Sequence, residues 1–295
     1  LNVLLPSLYF GVGVVARRFD RFDPEAAVHL MSAHKVRNAF IPPTALRMLR
    51  ASHAAGRRYA VELRTLASGG ESLGAAIYAW GREAFGLTIN EFYGQTECNL
   101  VLASCAAMGV SRAGSIGKAV PGHICDVIRP DGTRCEADEP GQIAVLRPDP
   151  VMFLGYWNRP EATRAKFIGD WMTTGDQGRR DQDGYVFFFG RDDDVITSSG
   201  YRIGPGEIED CLLRHPAVEI AAAVGKPDAI RGEIVKAFIV LKPGFSGSAD
   251  LSADIQAFVR TRLSAHEYPR EVAFIERLPL TTSGKVIRRE LREQG

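Results

Sequence analysis

Gly190-Arg191-Asp192-Asp193-Asp194-Val195-Ile196-Thr197-Ser198-Ser199-Gly200-Tyr201-Arg202-Ile203-Gly204-Pro205-Gly206-Glu207 is the stretch on which the fold reading turns. Two arginines, three consecutive aspartates and four glycines lie between two apolar segments. On the N-terminal side, Tyr185-Val186-Phe187-Phe188-Phe189 is apolar enough for a buried strand. On the C-terminal side, residues 207–213 have helical spacing, with Ile208, Cys211 and Leu212 on one stripe. Two readings of the part between remain open. It is a polar, solvated hinge, or it is a ligand loop. In a ligand loop, glycines bring backbone N–H groups close to a bound group, and arginines pair with carboxylate or phosphate.

The order of residues in this stretch narrows the choice. Gly190-Arg191, Asp193-Asp194, Ile196, Gly200-Tyr201-Arg202-Ile203, Pro205 and Glu207-Ile208-Glu209 follow one another at set spacings. The series resembles the linker motif of the adenylate-forming superfamily, G-R-x-D-D-x-I, then G-x-R-I, then P-x-E-I-E. That superfamily comprises acyl-CoA synthetases, peptide-synthetase adenylation domains and luciferases. Gly206 stands where the family often carries a bulkier residue, which implies a looser hinge.

Bulk properties bound the remainder. The chain has 295 residues, room for one large or two ordinary domains. At 45% hydrophobic and 24% charged, its composition is that of a soluble globular protein. The net charge of +1 gives no electrostatic reason to expect nucleic acid or an anionic membrane as partner. No apolar run approaches the roughly 20 residues that span a bilayer. Leu1-Asn2-Val3-Leu4-Leu5-Pro6 lacks a basic leader and reads as the inside of a buried strand, so a fragment of a longer protein is expected. Five cysteines, Cys98, Cys105, Cys125, Cys135 and Cys211, form no C-x-x-C pair. Reduced thiols in a cytoplasmic protein account for them most simply.

C-terminal to the linker, residues 217–224 and 233–241 read as strands, 250–263 as an amphipathic helix and 272–275 as a last strand. Together they make a compact α+β domain. N-terminal to it, residues 124–128 and 142–146 are strands, with a hairpin signal at Pro130-Asp131-Gly132. They suggest a small antiparallel, barrel-like subdomain. Asp176, in Trp171-Met172-Thr173-Thr174-Gly175-Asp176, is expected to end a short strand; by itself it reads as a turn aspartate.

Nearer the start, residues 36–41, 63–68 and 87–93 read as strands, and helices are expected after Asp23, from Thr44 as cap, and over 73–85. This alternation predicts part of a doubly wound parallel sheet. Gly11-Val12-Gly13-Val14-Val15-Ala16 matches a dinucleotide fingerprint only in outline; the following residues read as strand and loop, so a glycine-rich turn is expected. The domains are therefore set at 1–190, divided into an α/β part (1–110) and a β-rich part (111–190), and a mobile C-terminal domain at 191–295.

Ligands in such sheets collect beyond the carboxyl ends of the strands. Two turns lie there, Ser68-Gly69-Gly70-Glu71 and Tyr93-Gly94-Gln95-Thr96-Glu97, each with glycine and carboxylate. An aromatic face with glycine suits a stacked purine, and hydroxyl with carboxylate suits a phosphate and its magnesium. The second turn resembles the superfamily's Y-G-x-T-E motif and the first its adenine-side turn. Residues 153–163 resemble its G-Y-x-x-x-P-E-x-T segment, and residues 279–291 its P-x-T-x-x-G-K-x-x-R-x-x-L motif.

The resemblance covers essentially the whole chain and is strongest to acetyl- and medium-chain acyl-CoA ligases. It implies nucleotide contacts from Gly70, Glu71, Glu91, Phe92, Tyr93, Gly94, Gln95, Thr96, Asp176, Arg191, Arg202 and Lys285. Tyr93 stacks on the base, Asp176 and Arg191 hold the ribose, Thr96 meets phosphate and Glu97 holds Mg²⁺. It assigns catalysis to Lys285, Thr96 and Glu97, CoA binding to Ser199, Gly200, Tyr201, Arg202 and Arg231, and the hinge to Asp193. The implied reaction joins a small-molecule carboxylate to CoA at the expense of ATP, through acyl-AMP, as in fatty acid metabolism. No segment between Leu1 and Tyr93 resembles the family's phosphate loop, T-S-G-T-T-G-x-P-K, which would lie in a missing N-terminal half. Three alternatives remain: a non-catalytic nucleotide- or CoA-binding remnant, a half that needs a partner chain, and an adenylation domain that loads a carrier protein.

Overall fold

A computed structural model describes residues 3–19, 22–52, 61–264, 266–281 and 286–294. Its elements fall into three sheets with helices packed on two of them. In the N-terminal part these are α1 (Leu4–Tyr9), α2 (Pro24–Ala33), β1 (Asn38–Phe40), α3 (Pro43–Ala51), β2 (Thr65–Gly69), α4 (Ala75–Phe85), β3 (Ile89–Gln95), β4 (Asn99–Ala103) and β5 (Lys118–Ala119). Strands β1, β2 and β3 are parallel neighbours, as the alternation predicts, and β4 and β5 extend the sheet antiparallel. Asp23 caps α2 by accepting from the Ala26 N–H at 3.0 Å. Val28, Met31, Leu46, Leu49, Leu66, Ile77 and Ile89 form the core between these helices and the sheet.

The opening residues differ from the expected buried strand. They form α1, which contains no buried residue, and Leu5, Leu8, Tyr9 and Phe10 are exposed. Pro6 sits in its first turn, where a missing N–H costs no helical hydrogen bond. Residues 12–19, expected to begin as a strand, form no regular element.

The β-rich part contains β6 (Cys125–Ile128), β7 (Gly141–Leu146), α5 (Pro160–Ala165), β8 (Phe167–Ile168), β9 (Trp171–Arg180) and β10 (Val186–Arg191). These five strands make one antiparallel sheet in the order β10-β9-β7-β6, with β8 on β9. The Asp131-Gly132 turn closes onto a bridge between Ile128 and Arg134, and β7 follows only later. Asp176 lies in the middle of β9, not at its end. Pairing with β7, β8 and β10 carries the strand through both of its glycines.

The C-terminal part holds β11 (Ile196–Ser198), β12 (Tyr201–Ile203), α6 (Pro205–Leu212), β13 (Val218–Asp228), β14 (Gly232–Leu241), α7 (Ala249–Arg260), β15 (Glu271–Phe274) and α8 (Arg288–Glu293). Its sheet runs β12-β11-β14-β13, with β15 parallel to β14. The predicted stripe of Ile208, Cys211 and Leu212 is buried against Val235, Ile239, Ile255 and Val259. All five cysteines are free thiols. No helix among the described residues is long and apolar enough to cross a membrane.

Candidate functional site

Strands β2 and β3 pair with Ser68 opposite Glu91 and Gly69 opposite Phe92, so the turns that follow them emerge at one edge. Side chains fix the first turn from two directions. Thr44 Oγ1 donates to both oxygens of the Glu71 carboxylate, at 3.1 and 2.8 Å, and Arg47 Nη1 donates to one of them at 3.2 Å. Arg47 Nη2 donates to the Ser72 carbonyl at 2.9 Å. From beneath, Glu91 Oε1 accepts the Leu73 N–H at 2.9 Å. Thr44 therefore does not cap its helix; α3 has no side-chain cap, and the hydroxyl serves the carboxylate, a stronger acceptor for it. Glu91 is buried below the turn, and that burial pushes its carboxyl up to about 7 against the pull of the Leu73 N–H and the Arg47 charge.

The second turn converges on Asp176. The Tyr93 hydroxyl donates to Asp176 Oδ2 at 2.6 Å, and Gln95 Nε2 approaches the same oxygen at 3.4 Å while donating to the Thr174 carbonyl at 3.0 Å. Arg191 on β10 is the register partner of Asp176 on β9, so both side chains leave the same face. Burial raises the Asp176 carboxyl above its ordinary range, opposed by the Tyr93 hydrogen bond and then by the charges of Arg191 and Lys166. Burial, and then the negative charge of Asp176, hold the Tyr93 hydroxyl well above its usual value. Phe92 lies beside Phe40, with ring centroids 6.3 Å apart, and Thr96 is exposed at the tip. Tyr93, Asp176 and Arg191 thus share one site.

Glu97 is aimed by Tyr156, which lies in the segment 153–163. The Tyr156 hydroxyl donates to Glu97 Oε1 at 2.5 Å, and the Phe153 N–H donates to the Glu97 carbonyl at 2.7 Å. Burial, helped by this bond, pushes the Tyr156 hydroxyl up to about 12. Among the described residues no group of three or more His, Cys, Asp or Glu could hold a metal alone. One carboxylate beside one hydroxyl still fits Mg²⁺, which takes most of its other oxygens from phosphates and water.

The linker residues are tied to one another. Asp192 accepts from Gln142 at 2.8 Å and from Arg202 at 3.0 Å, so it joins β7 to β12. Arg191 Nε donates to Asp193 at 3.2 Å, and Arg292 donates to the Asp193 carbonyl at 2.7 Å and to Asp194 at 2.6 Å. Ser199 and Gly200 turn the β11–β12 hairpin with φ of 51° and 83°. The Ser199 N–H donates to the Arg231 carbonyl at 2.8 Å, which puts Arg231 beside that hairpin. Tyr201 stacks on His266 with centroids 4.0 Å apart. Arg202, expected at both nucleotide and CoA, is engaged by Asp192. Lys285 lies outside the described residues.

Two family models match the chain. AMP-binding enzyme covers residues 1–157, and AMP-binding enzyme C-terminal domain covers residues 207–285. The uncharacterized acyl-CoA ligase YtcI of Bacillus subtilis is 38% identical over 274 residues, which is 93% of this chain and 52% of that protein. The acetyl-coenzyme A synthetase of the same organism is 37% identical over 276 residues, 92% of this chain and 48% of that protein. The chain spans about half the length of the curated relatives it matches. Among solved structures, the anthranilate CoA ligase AuaEII in complex with anthranoyl-AMP superposes with a TM-score of 0.88 at 30% identity, over 97% of this chain and 54% of that one. ATP-bound MatB from Rhodopseudomonas palustris superposes at 0.82 and 30%, over 94% and 54%.

Proposed function

The chain belongs to the AMP-binding enzyme family, and we propose that it supplies the adenosine side and the C-terminal domain of an ATP-dependent carboxylate–CoA ligase. In this reading a carboxylate attacks the α-phosphorus of ATP, giving acyl-AMP and pyrophosphate. The CoA thiol then attacks the acyl carbon and releases AMP. The convergence of Tyr93, Asp176 and Arg191 carries the proposal. A buried carboxylate facing a guanidinium offers two strong hydrogen-bonding groups to the ribose diol, and Tyr93 presents its ring to the base.

Gly70, Gly94 and Gln95 line the approach of the purine, with Glu71 held in place by Thr44 and Arg47. Thr96 meets phosphate, and Glu97, aimed by Tyr156, holds Mg²⁺, which neutralises phosphate charge when bound. Lys285 brings a compact cation to the developing charge of the first step. Ser199, Gly200, Tyr201, Arg202 and Arg231 serve CoA once Arg202 leaves Asp192, with Asp193 as the pivot. Free cysteines are consistent with a cytoplasmic location in this reading.

Calorimetry of AMP binding tests the site. Asp176→Ala is expected to weaken binding by about 1–3 kcal/mol, the cost of leaving strong ribose hydrogen bonds unmade. An unchanged affinity would remove Asp176 from the site. Carboxylate-dependent ATP–pyrophosphate exchange separates a ligase from a binding remnant, and CoA-dependent release of AMP separates CoA from a carrier protein as acceptor.

A further inference from the structure

Helix α4 starts directly after the turn that carries Gly70 and Glu71, and it starts without a cap of its own. Its N-cap is Gly74, with φ of 77° and no side chain to accept a first-turn N–H. Such N–H groups have no partner inside their helix. One of them, on Ala76, donates at 2.8 Å to Oδ1 of Asp210, which lies on α6, 134 residues further along and beyond the linker. The approach is close: a Cβ on Gly74 would stand 2.6 Å from that oxygen. Gly74 is therefore the residue that admits the carboxylate. The other Asp210 oxygen is held by Arg214, and the Asp210 side chain is 13% exposed. Gly206 faces Ser72 of the same turn, 3.7 Å from where its own Cβ would be.

The turn thus has three supports. Thr44 and Arg47 hold it from α3, and Glu91 holds it from β3. Both of these belong to the same unit as the turn. The third support, Asp210, belongs to the C-terminal unit. We infer that Asp210 is a positioning residue that caps α4 across the linker and steadies the adenine-side turn only while the C-terminal unit lies against it. The ligand in this statement rests on the proposed adenylation function; the cap itself rests on the geometry alone. Coupling of this kind is reciprocal: if Asp210 changes AMP affinity, AMP changes the strength of the Asp210 contact by the same factor.

Two variants of the chain test it, Asp210→Ala and Asp210→Asn. Asparagine keeps an oxygen that caps a helix as well as aspartate does, and it removes the charge that pairs with Arg214. Amide hydrogen exchange of residues 73–80, with and without saturating AMP, is the readout, with calorimetry of AMP beside it. Asp210→Ala is expected to speed exchange in this segment about fivefold, the usual weight of a helix cap expressed as a ratio. The response of the segment to AMP is expected in the native chain, lost in the alanine variant and restored in the asparagine variant. Unchanged exchange in Asp210→Ala overturns the cap. An AMP response retained in that variant leaves Asp210 as a structural contact only and overturns the positioning role. Should the native chain bind no AMP, the adenylation reading fails and the positioning role falls with it, while exchange in the two variants without nucleotide still decides the cap.

Discussion

A carboxyl group sealed beneath a turn answers to pH in a direction set by its burial. Glu91 is pushed up to about 7 inside the fold, and in the unfolded chain it ionises at the ordinary glutamate value, about 4.3. Between those two values the folded state keeps the proton and the unfolded state releases it. The contribution of Glu91 is therefore complete below the unfolded value, is lost as pH rises through the folded one, and stays flat above it. The full window corresponds to roughly 4 kcal/mol. Glu91→Gln keeps an oxygen for the Leu73 N–H and has nothing to ionise. Ser68, opposite in register, has a buried hydroxyl with no hydrogen-bond partner among the described residues. Urea unfolding at pH 5 and pH 8, which spans most of that window, is expected to show the native chain losing roughly 2.5 kcal/mol more than the variant between the two. Parallel losses would mean that some other group titrates in that window. The family resemblance offers Glu91 as a nucleotide contact on the strand before the second turn, not as a carboxyl sealed beneath the first. Its burial depends on the turn folding over it, which no local pattern reports.

At the scale of elements, two glycines separate what the backbone requires from what it tolerates. Gly94 lies where β3 shifts register against β4, and a Cβ there would stand 1.6 Å from the Asn99 carbonyl oxygen. Gly206 is in the first turn of α6, where a Cβ would meet Ser72 at ordinary contact distance. Gly94→Ala is expected to force β3 from β4, at a cost of about 2 kcal/mol or more, and to displace Tyr93 from Asp176. Gly206→Ala is expected to stabilise by about 0.5–1 kcal/mol, by narrowing the freedom of the unfolded chain. Thermal unfolding of the two variants checks the pair, and shifts of the same sign would refute the steric argument. Much of this architecture is legible in the residues. The three parallel strands are short apolar runs between turn residues, and the linker declares itself by its unusual order of charges and glycines. The continuation of β9 beyond Asp176 is not legible, because Gly175-Asp176-Gln177-Gly178 reads as turn chemistry and only pairing with its neighbours carries the strand on to Arg180. Nor are the clamps on the turn that carries Glu71 and the helix after it, since Thr44 and Arg47 reach Glu71 across 27 and 24 residues and Asp210 reaches Ala76 across 134. Periodicity carries no signal at such separations.

Among the described residues of the molecule, the apolar clusters do not mix over the linker. Ile196, Ile208, Leu212, Val235, Ile239 and Val259 share one cluster and Ala222, Phe238, Leu278 and Leu291 another, all C-terminal to Asp194. The remaining clusters draw their buried members from residues 28–186. What joins the two units is mainly polar and local: Asp210 on Ala76, Gln142 and Arg202 on Asp192, and the close passage of Gly204 along Phe189. A contact of that kind lets two bodies part without opening either core, which is what a pivot at Asp193 needs. It also means that unfolding need not be one event, since cooperativity follows shared core. The chain supplies its own probe for this. Its three tryptophans, Trp80, Trp157 and Trp171, all lie N-terminal to the linker, so tryptophan fluorescence reads the large unit alone. Far-ultraviolet circular dichroism reads both. The two signals are expected to give different midpoints in the same denaturant titration, and a chain of residues 194–295 is expected to melt cooperatively by itself. Coincident midpoints would show that the two units unfold as one body and would take away the freedom that the proposed rotation requires.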